Sequence, residues 1–441
     1  MKENFVSGRR VVVMGLGESG RAAAELLIQK GASVIIRDSY LNERIDQMAR
    51  QLQLRGARVE TQPAGFTPCR FDLGVLSPGI DPQVPLVRQL RRARVPVVGE
   101  VELAARFCDT PVVAVTGTNG KSTTTELVAA ALTAGGLRTT ACGNLGVPFS
   151  DVVRGGDFYN VITLEVSSFQ LETIEHFRPR VAVYLNFTPD HLDRYPTLAA
   201  YRQAKIRIFM NQTAADFAVV NPACELPALA AKKITISADH DDADYTFRDG
   251  ALYAGGQKIL MQEATNLRGP HNAENQLAAL AVADLYGVAR PDAIAALRAY
   301  RALPHRCELV RELDGVTYIN DSKATNIDAL EKALAGQTRP VVLIAGGKDK
   351  GFDFAPLKAL MVKKARAVVA IGEVQNQLVR AWGQHVPCHR AADLAEAVSL
   401  GRRLAKPGDT VLLSPGCSSY DMFKNFADRG QQFKELVAKL S

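Results

Sequence analysis

The sequence has no apolar run long enough to span a bilayer, and it opens on Met1-Lys-Glu-Asn, which is not a signal peptide. Membrane insertion is therefore not expected. Its seven cysteines are scattered and form no CxxC pair, which points to reduced thiols in a cytoplasm rather than a disulfide framework. There is no internal repeat and no low-complexity segment. Concentrated basic charge is also missing. The net charge of +7 and pI of about 9.0 would allow nucleic-acid binding, but the bases are dispersed. The densest patch, Arg88 to Arg94, has Gln, Leu and Ala between its arginines and no aromatic platform, so it reads as a solvated helix face. Diffuse positive charge instead suits anionic small substrates. With 47% apolar residues in 441, the chain can fill the cores of about three ordinary domains.

What is present is organised around Pro111 to Thr123, PVVAVTGTNGKST: an apolar strand, a Gly-rich turn, and a helix opening at Lys121-Ser122. Backbone N–H groups of such a turn, with the positive end of the helix dipole, cradle phosphates. Lys121 can reach terminal phosphates, and the Ser122 hydroxyl can hold Mg²⁺. The usual pattern has a glycine five positions before Gly120, where this chain has Val115, so the loop is a shortened one.

Upstream, RRVVVMGLGESG (Arg9 to Gly20) feeds a strand into Gly15-x-Gly17-x-x-Gly20. A second strand ends in Asp38, which completes a βαβ nucleotide-binding opening. A third strand ends in Ser77-Pro-Gly79, at the carboxyl edge where open α/β sheets bind ligands. Downstream, Val161 to Ser168 reads as a buried strand carrying Glu165 near its end. That charge needs an ion pair or a metal, and both stay open. Asp190 and His191, just past the strand Arg180 to Leu185, suit a metal or phosphate, or an Asx turn capping the next helix. That helix, near 197–210, puts Lys205 on one face with Tyr201 and Ile208. Lys205 is then either a snorkelling lysine or a desolvated one that can take up CO₂ as a carbamate. Asn272 and Asn275 open an Ala-rich helix as caps or as contacts to a base. Past Leu303-Pro-His-Arg306, strands and helices alternate, which means a parallel, doubly wound sheet. Its strand-end loops are 321–326, GGKDKG (Gly346 to Gly351) and 414–421. The expected class is α/β with three domains: a Rossmann-like domain over 1–99, a central P-loop-type ATPase domain with a mostly parallel sheet over 100–302, and a Rossmann-like doubly wound domain over 303–441.

The loop TGTNGKST, LEVSSFQLE (Leu164 to Glu172), NFTPDHLDRY (Asn186 to Tyr195), YRQAKIRIF, GPHNAENQLAA, LPHR and INDSKATN occur in this order. With them, nearly the whole chain resembles the ATP-dependent Mur ligases of peptidoglycan synthesis. GLGESG and the late LLSPGCSSYDMFKNFADRG, in place of an Asp-Asn-Pro-Arg signature, resemble the branch that adds D-glutamate to UDP-N-acetylmuramoyl-L-alanine.

The resemblance implies a cytoplasmic enzyme that forms an amide through an acyl phosphate, acts as a monomer and closes its domains around its substrates. Gly117, Thr118, Asn119, Gly120, Lys121, Ser122 and Thr123 would hold ATP phosphates. Asn275 and Asp321 would meet adenine and ribose, and Arg306 the γ-phosphate. Ser122 and Glu165 would hold one Mg²⁺; His191 and carbamylated Lys205 would hold a second. Catalytic weight falls on Lys121, Glu165, His191 and Lys205. Glu18, Ser19, Asp38, Ser77 and Gly79 lie where the family holds the uridine diphosphate, with Asn144 and His191 on the rest of that substrate. Lys323, Thr325, Lys350, Ser419 and Phe426 would bind D-glutamate, with Lys348 a competitor for Lys350. Glu18 stands in place of a common apolar residue, and Tyr40 in place of a basic one. A nicotinamide dehydrogenase rests on GLGESG and Asp38 alone, a sibling ligase shares the central segment, and a nucleotide sensor would lack turnover.

Overall fold

A computed structural model describes residues 5–39, 43–61, 67–156, 158–191, 194–301 and 303–441. Tyr40, Leu192 and Asp193 lie outside the described residues. The chain divides into two compact units. The first is Met1–Phe187, Ala199–Met261 and Glu274–Ala299; the second is Thr188–Leu198, Gln262–Ala273 and Tyr300–Ser441.

The first unit holds two sheets. Its five-stranded sheet runs Arg58–Thr61, Ser33–Asp38, Arg10–Met14, Leu73–Leu76 and Val97–Gly99, all parallel. Strand order reverses between Arg10–Met14 and Leu73–Leu76, and the carboxyl edge at such a reversal is where open α/β sheets form ligand crevices. Gly15 and Ser77 both leave that edge. A Cβ on Gly15, whose φ is +92°, would lie 2.9 Å from Ser77 Cβ, so only glycine lets the two loops approach.

The second sheet has nine strands, in the order Gln257–Met261, Ala251–Ala254, Tyr245–Arg248, Lys232–Ser237, Phe217–Val220, Val181–Tyr184, Val112–Thr116, Val161–Glu165 and Thr139–Gly143. It is parallel from Thr139–Gly143 to Tyr245–Arg248, and the last strands form an antiparallel meander. The inner segments VVAVT, VITLE and VAVY are buried at every position, as strands covered on both faces must be. Within this unit the two sheets are tied by ion pairs and buried carboxylates. Arg21 pairs with Asp151 at 2.5 Å, and Glu102, fully buried, accepts the backbone N–H groups of Glu175, His176 and Phe177.

The second unit carries a six-stranded sheet: Glu308–Leu313, Val316–Asn320, Thr410–Leu413, Val341–Gly346, Ala365–Ile371 and Cys388–Arg390. Only the pair Glu308–Leu313 with Val316–Asn320 is antiparallel. Alternate residues of one strand feed two cores. Val341, Leu343 and Ala345 pack with Leu330, Leu334 and Trp382, while Val342 and Ile344 pack with Leu394, Val398 and Phe433. This is the double winding expected from period-2 patterning with helices on both faces. Among the described residues no helix is long and apolar enough to cross a membrane, and none of the six described cysteines is in a disulfide.

Candidate active site

In the first unit the Gly-rich turn joins the strand Val112–Thr116 to the helix Lys121–Ala134. Gly120 caps that helix at φ +82°, and a Cβ there would lie 2.3 Å from Asn275 Oδ1, so neither the backbone angle nor the space admits a side chain. Asn275 Oδ1 accepts from Thr124 Oγ1 at 3.0 Å, which fixes the helix Pro270–Leu285 against the helix behind the loop. Asn275 is therefore an internal brace within its helix, not its N-cap. Asn272, in the second unit, donates Nδ2 to Arg268 O at 2.8 Å.

The turn is shaped by a residue that the sequence reading did not single out. Asn186 Oδ1 accepts from the N–H groups of Thr118 (3.1 Å) and Asn119 (2.9 Å), and its Nδ2 donates to Asn119 O at 3.1 Å. Its signal was positional: an amide at the end of the strand next to the phosphate loop. Lys121 Nζ donates to the loop carbonyls of Gly117 (3.1 Å) and Thr118 (2.8 Å), so its charge stays over the turn. Ser122 and Thr123 are buried at the start of the helix.

Glu165 is 2% exposed at the end of the strand Val161–Glu165, in register with Val115 just before the loop. Its Oε1 accepts from Asn144 Nδ2 at 2.7 Å, so these two predicted site residues meet each other. Lys205 is 1% exposed on the helix Leu198–Ile206. Its Nζ donates to Gly117 O at 2.6 Å and lies 4.8 Å from the Tyr201 ring centroid. This is a buried amine held on the phosphate loop, not a snorkelling lysine. Tyr201 OH reaches Thr118 Oγ1 at 3.3 Å.

At the five-stranded sheet, Asp38 Oδ2 accepts from Leu16 N at 2.6 Å and so braces the glycine turn. Glu18 pairs with Arg21 and Arg44. Burial works to raise its carboxyl, but the two guanidinium groups outweigh it and hold the carboxyl below its ordinary value. Ser19 lies on the first turn of the helix Glu18–Gln29, and Ser77 is buried and Gly79 exposed just past the strand Leu73–Leu76.

In the second unit, Asp190 and His191 precede the helix Leu198–Ile206 by several residues, and Asp190 does not cap it. Asp190 is 5% exposed. It takes Asn326 Nδ2 on Oδ2 at 2.9 Å and pairs through Oδ1 with Lys350 Nζ at 3.3 Å. Burial opposes its charge, yet Lys350, His191 and the Asn326 amide hold its carboxyl below the usual range. His191 adopts φ +55°, an unusual angle for a residue with a side chain. Lys350 is turned inward, whereas Lys348 is exposed and pairs its backbone with Ser418.

Asp321 sits at the end of the strand Val316–Asn320 and is buried. It accepts from Ser414 Oγ (2.9 Å) and Cys307 N (3.1 Å), and burial lifts its carboxyl to about 7 against these bonds and the charge of Arg306. Lys323 Nζ lies 3.9 Å from the Phe426 ring centroid, and Ser419 is buried in the loop after Thr410–Leu413. Thr325 is half-buried between Lys323 and the helix cap Asn326. The second unit thus brings together Asp190, Lys350 and the cap Asn326 on one side and Lys323 with Phe426 on another. Arg429, buried among these loops, is a further residue that the sequence reading passed over.

Known proteins match this chain along nearly all of its length. Three family models cover successive parts of the chain: the Mur ligase MurD-like N-terminal domain (residues 9–99), the Mur ligase middle domain (115–283) and the Mur ligase glutamate ligase domain (305–417). Among curated relatives, the UDP-N-acetylmuramoylalanine–D-glutamate ligase of Geobacter metallireducens is 42% identical, covering 99% of this chain and 98% of that one. The enzyme of the same name from Myxococcus xanthus is 43% identical, with 99% of each chain covered. Solved structures share the fold at low identity. MurF from Acinetobacter baumannii has a TM-score of 0.63 at 17% identity, covering 98% of this chain and 93% of that one. The UDP-N-acetylmuramate-alanine ligase MurC from Thermotoga maritima has 0.61 at 19%, covering 98% and 99%. With its phosphate loop, its buried strand-end carboxylate and its full-length likeness to these enzymes, the chain belongs to the Mur ligase family.

Proposed function

We propose that this chain joins D-glutamate to UDP-N-acetylmuramoyl-L-alanine at the expense of ATP, in the synthesis of peptidoglycan precursors. The observation that carries this is the match to ligases of that name over essentially the full length of both partners. The reaction activates an acyl group. The alanyl carboxylate takes the γ-phosphoryl group of ATP, releasing ADP. The amine of D-glutamate then attacks the acyl carbon, and phosphate leaves as the amide forms. The reading places the enzyme in the cytoplasm, as a monomer, with domains over 1–99, 100–302 and 303–441.

The roles of the residues follow from this reading. The amides of Gly117 to Thr123 and the Lys121 ammonium orient the phosphates and offset their charge. Asn275 in the first unit, and Asp321 and Arg306 in the second, serve adenine, ribose and γ-phosphate. Hard oxygen donors suit magnesium, and a buried hydroxyl at Ser122 with a buried carboxylate at Glu165 form such a set. His191 and Lys205 are assigned to a second ion, Lys205 as a carbamate that exchanges a cation for oxygen donors. Magnesium, when bound, screens the phosphate charge from the incoming carboxylate. Glu18, Ser19, Asp38, Ser77 and Gly79 take the uridine diphosphate. Asn144 is held in place by Glu165 and faces the remainder of that substrate, which His191 also meets. Lys323, Thr325, Lys350, Ser419 and Phe426 receive D-glutamate. The inward turn of Lys350 and the exposure of Lys348 favour Lys350 for a carboxylate.

The test is phosphate release from ATP with UDP-N-acetylmuramoyl-L-alanine, adding each amino acid in turn. Release that needs both the nucleotide substrate and D-glutamate is expected. Release with L-lysine or diaminopimelate and none with D-glutamate would keep the ligase and overturn its substrate.

A further inference from the structure

Arg429 lies on the helix Phe426–Ala438 with none of its surface exposed. A buried guanidinium ordinarily has a carboxylate beside it, because an isolated buried charge is costly. Here every acceptor is neutral. Nε donates to Ser322 Oγ at 2.9 Å. Nη1 donates to Cys417 O at 3.2 Å and Ser418 O at 3.5 Å. Nη2 donates to Ser322 O at 2.8 Å and Cys417 O at 3.2 Å. All N–H donors of the fork are thereby used. Burial pulls its pKa down to about 10, and the carboxyls of Asp421 and Asp321 act on it only from a distance.

The acceptors belong to two strand-end loops. One runs from Asp321 through Ser322 to Lys323; the other runs from Cys417 through Ser418 to Ser419. A third loop closes the ring, since a Cβ on Gly347 would lie 3.3 Å from Arg429 Nη1. Ser322 Oγ in turn donates to Phe426 O at 2.8 Å, which ties the first loop to the start of the helix. One side chain therefore sets the spacing of Lys323, Ser419 and Phe426, and it does so with a positive charge that no contacting acid neutralises.

We infer that Arg429 is a positioning and specificity-determining residue. Its five bonds fix two of the loops and, through Ser322, the start of the helix, and its unneutralised charge makes the site they form selective for an amino acid whose side chain carries a second carboxylate. This rests on the reading that these loops receive D-glutamate. With no N–H to spare, Arg429 does not touch the substrate; it acts through the loops and through its field, which is weakly screened at such depth. The dicarboxylate substrate then adds to the distant carboxyls of Asp421 and Asp321 in balancing that charge.

The test compares D-glutamate with its neutral isostere D-glutamine, each by phosphate release with ATP and UDP-N-acetylmuramoyl-L-alanine. Wild type should prefer D-glutamate by roughly tenfold or more in kcat/KM, a measurement that needs no variant. Arg429→Gln, neutral but able to donate, should lose most of that preference, with KM for ATP unchanged. Arg429→Lys keeps the charge but not the fork. It should retain the preference while kcat falls, a split that loosened packing alone does not produce. An Arg429→Gln enzyme as selective as wild type would overturn the inference. So would an Arg429→Lys enzyme that loses selectivity to the same extent, or a wild type that accepts D-glutamine equally. A wild type that turns over neither amino acid would instead remove the proposed function itself.

Discussion

At the scale of single residues, Asp321 shows how burial and hydrogen bonding oppose each other. Desolvation wins and leaves its carboxyl near 7, far above an exposed aspartate. The folded protein therefore binds this proton more tightly than the unfolded chain does. Its contribution to stability is fully present below the unfolded pKa of about 4 and is lost as pH rises through about 7. The full swing is on the order of 4 kcal/mol, an upper figure for a group this deep. Urea unfolding of wild type and Asp321→Asn, measured in parallel from about pH 5 to pH 8, should show wild type losing stability relative to the variant as pH rises. Glu100, also pushed up to about 7 by burial, is common to both proteins and cancels from the difference. Parallel pH dependence in the two would mean that Asp321 is ionised throughout.

At the scale of the element, the phosphate loop is held from outside as much as by its own glycines. Asn186 spends its amide on Thr118 N, Asn119 N and Asn119 O. Replacing it by alanine removes the side-chain bonds to Asn119 N and O, while Thr118 N keeps the backbone carbonyl of residue 186; each lost bond to a buried group costs about 1–3 kcal/mol. Asn186→Asp is the sharper probe. It keeps an acceptor for the two N–H groups, sets an oxygen against Asn119 O, and adds a negative charge beside a site built for anions. KM for ATP should rise by roughly tenfold or more in Asn186→Asp and by less in Asn186→Ala. An aspartate variant that binds ATP as well as the alanine one would show that the brace acts on loop shape alone.

Such braces also mark the limit of what was legible beforehand. The helix Lys121–Ala134, stopped before Gly135-Gly136, and the buried strand ending in Glu165 could be read because periodicity and turn residues are local signals. Asn186 and Arg429 could not, since their meaning lies in partners far along the chain. That Asn275 braces a neighbouring helix and Asp190 pairs with Lys350, neither of them capping a helix, was likewise tertiary: an Asn or Asp can do either until its neighbours are known. The antiparallel strand Glu308–Leu313 escaped for a related reason. Its alternation of half-buried and exposed residues gives a weak pattern at a sheet edge.

At the scale of the molecule, the two units divide the chemistry. The first holds the phosphate loop, Glu165 and Lys205; the second holds Asp321, Lys323, Lys350 and Arg429. A nucleotide that engages the first unit through its phosphates should stabilise that unit by mass action, about 2.7 kcal/mol at a concentration one hundred times its Kd. The proposed magnesium ligands make this stabilisation metal-dependent, because without the ion Glu165 presents its charge to the triphosphate unscreened. A non-hydrolysable ATP analogue with magnesium should therefore raise the unfolding temperature, and excess chelator should remove most of that rise along with activity. Glu165→Gln separates the two contributions. With the charge gone and only an amide left to meet the ion, the analogue should stabilise the variant nearly as well with chelator as with magnesium, while turnover is lost. If chelator leaves the wild-type shift intact, Glu165 is balanced by protein alone and the metal assignment at Ser122 and Glu165 fails.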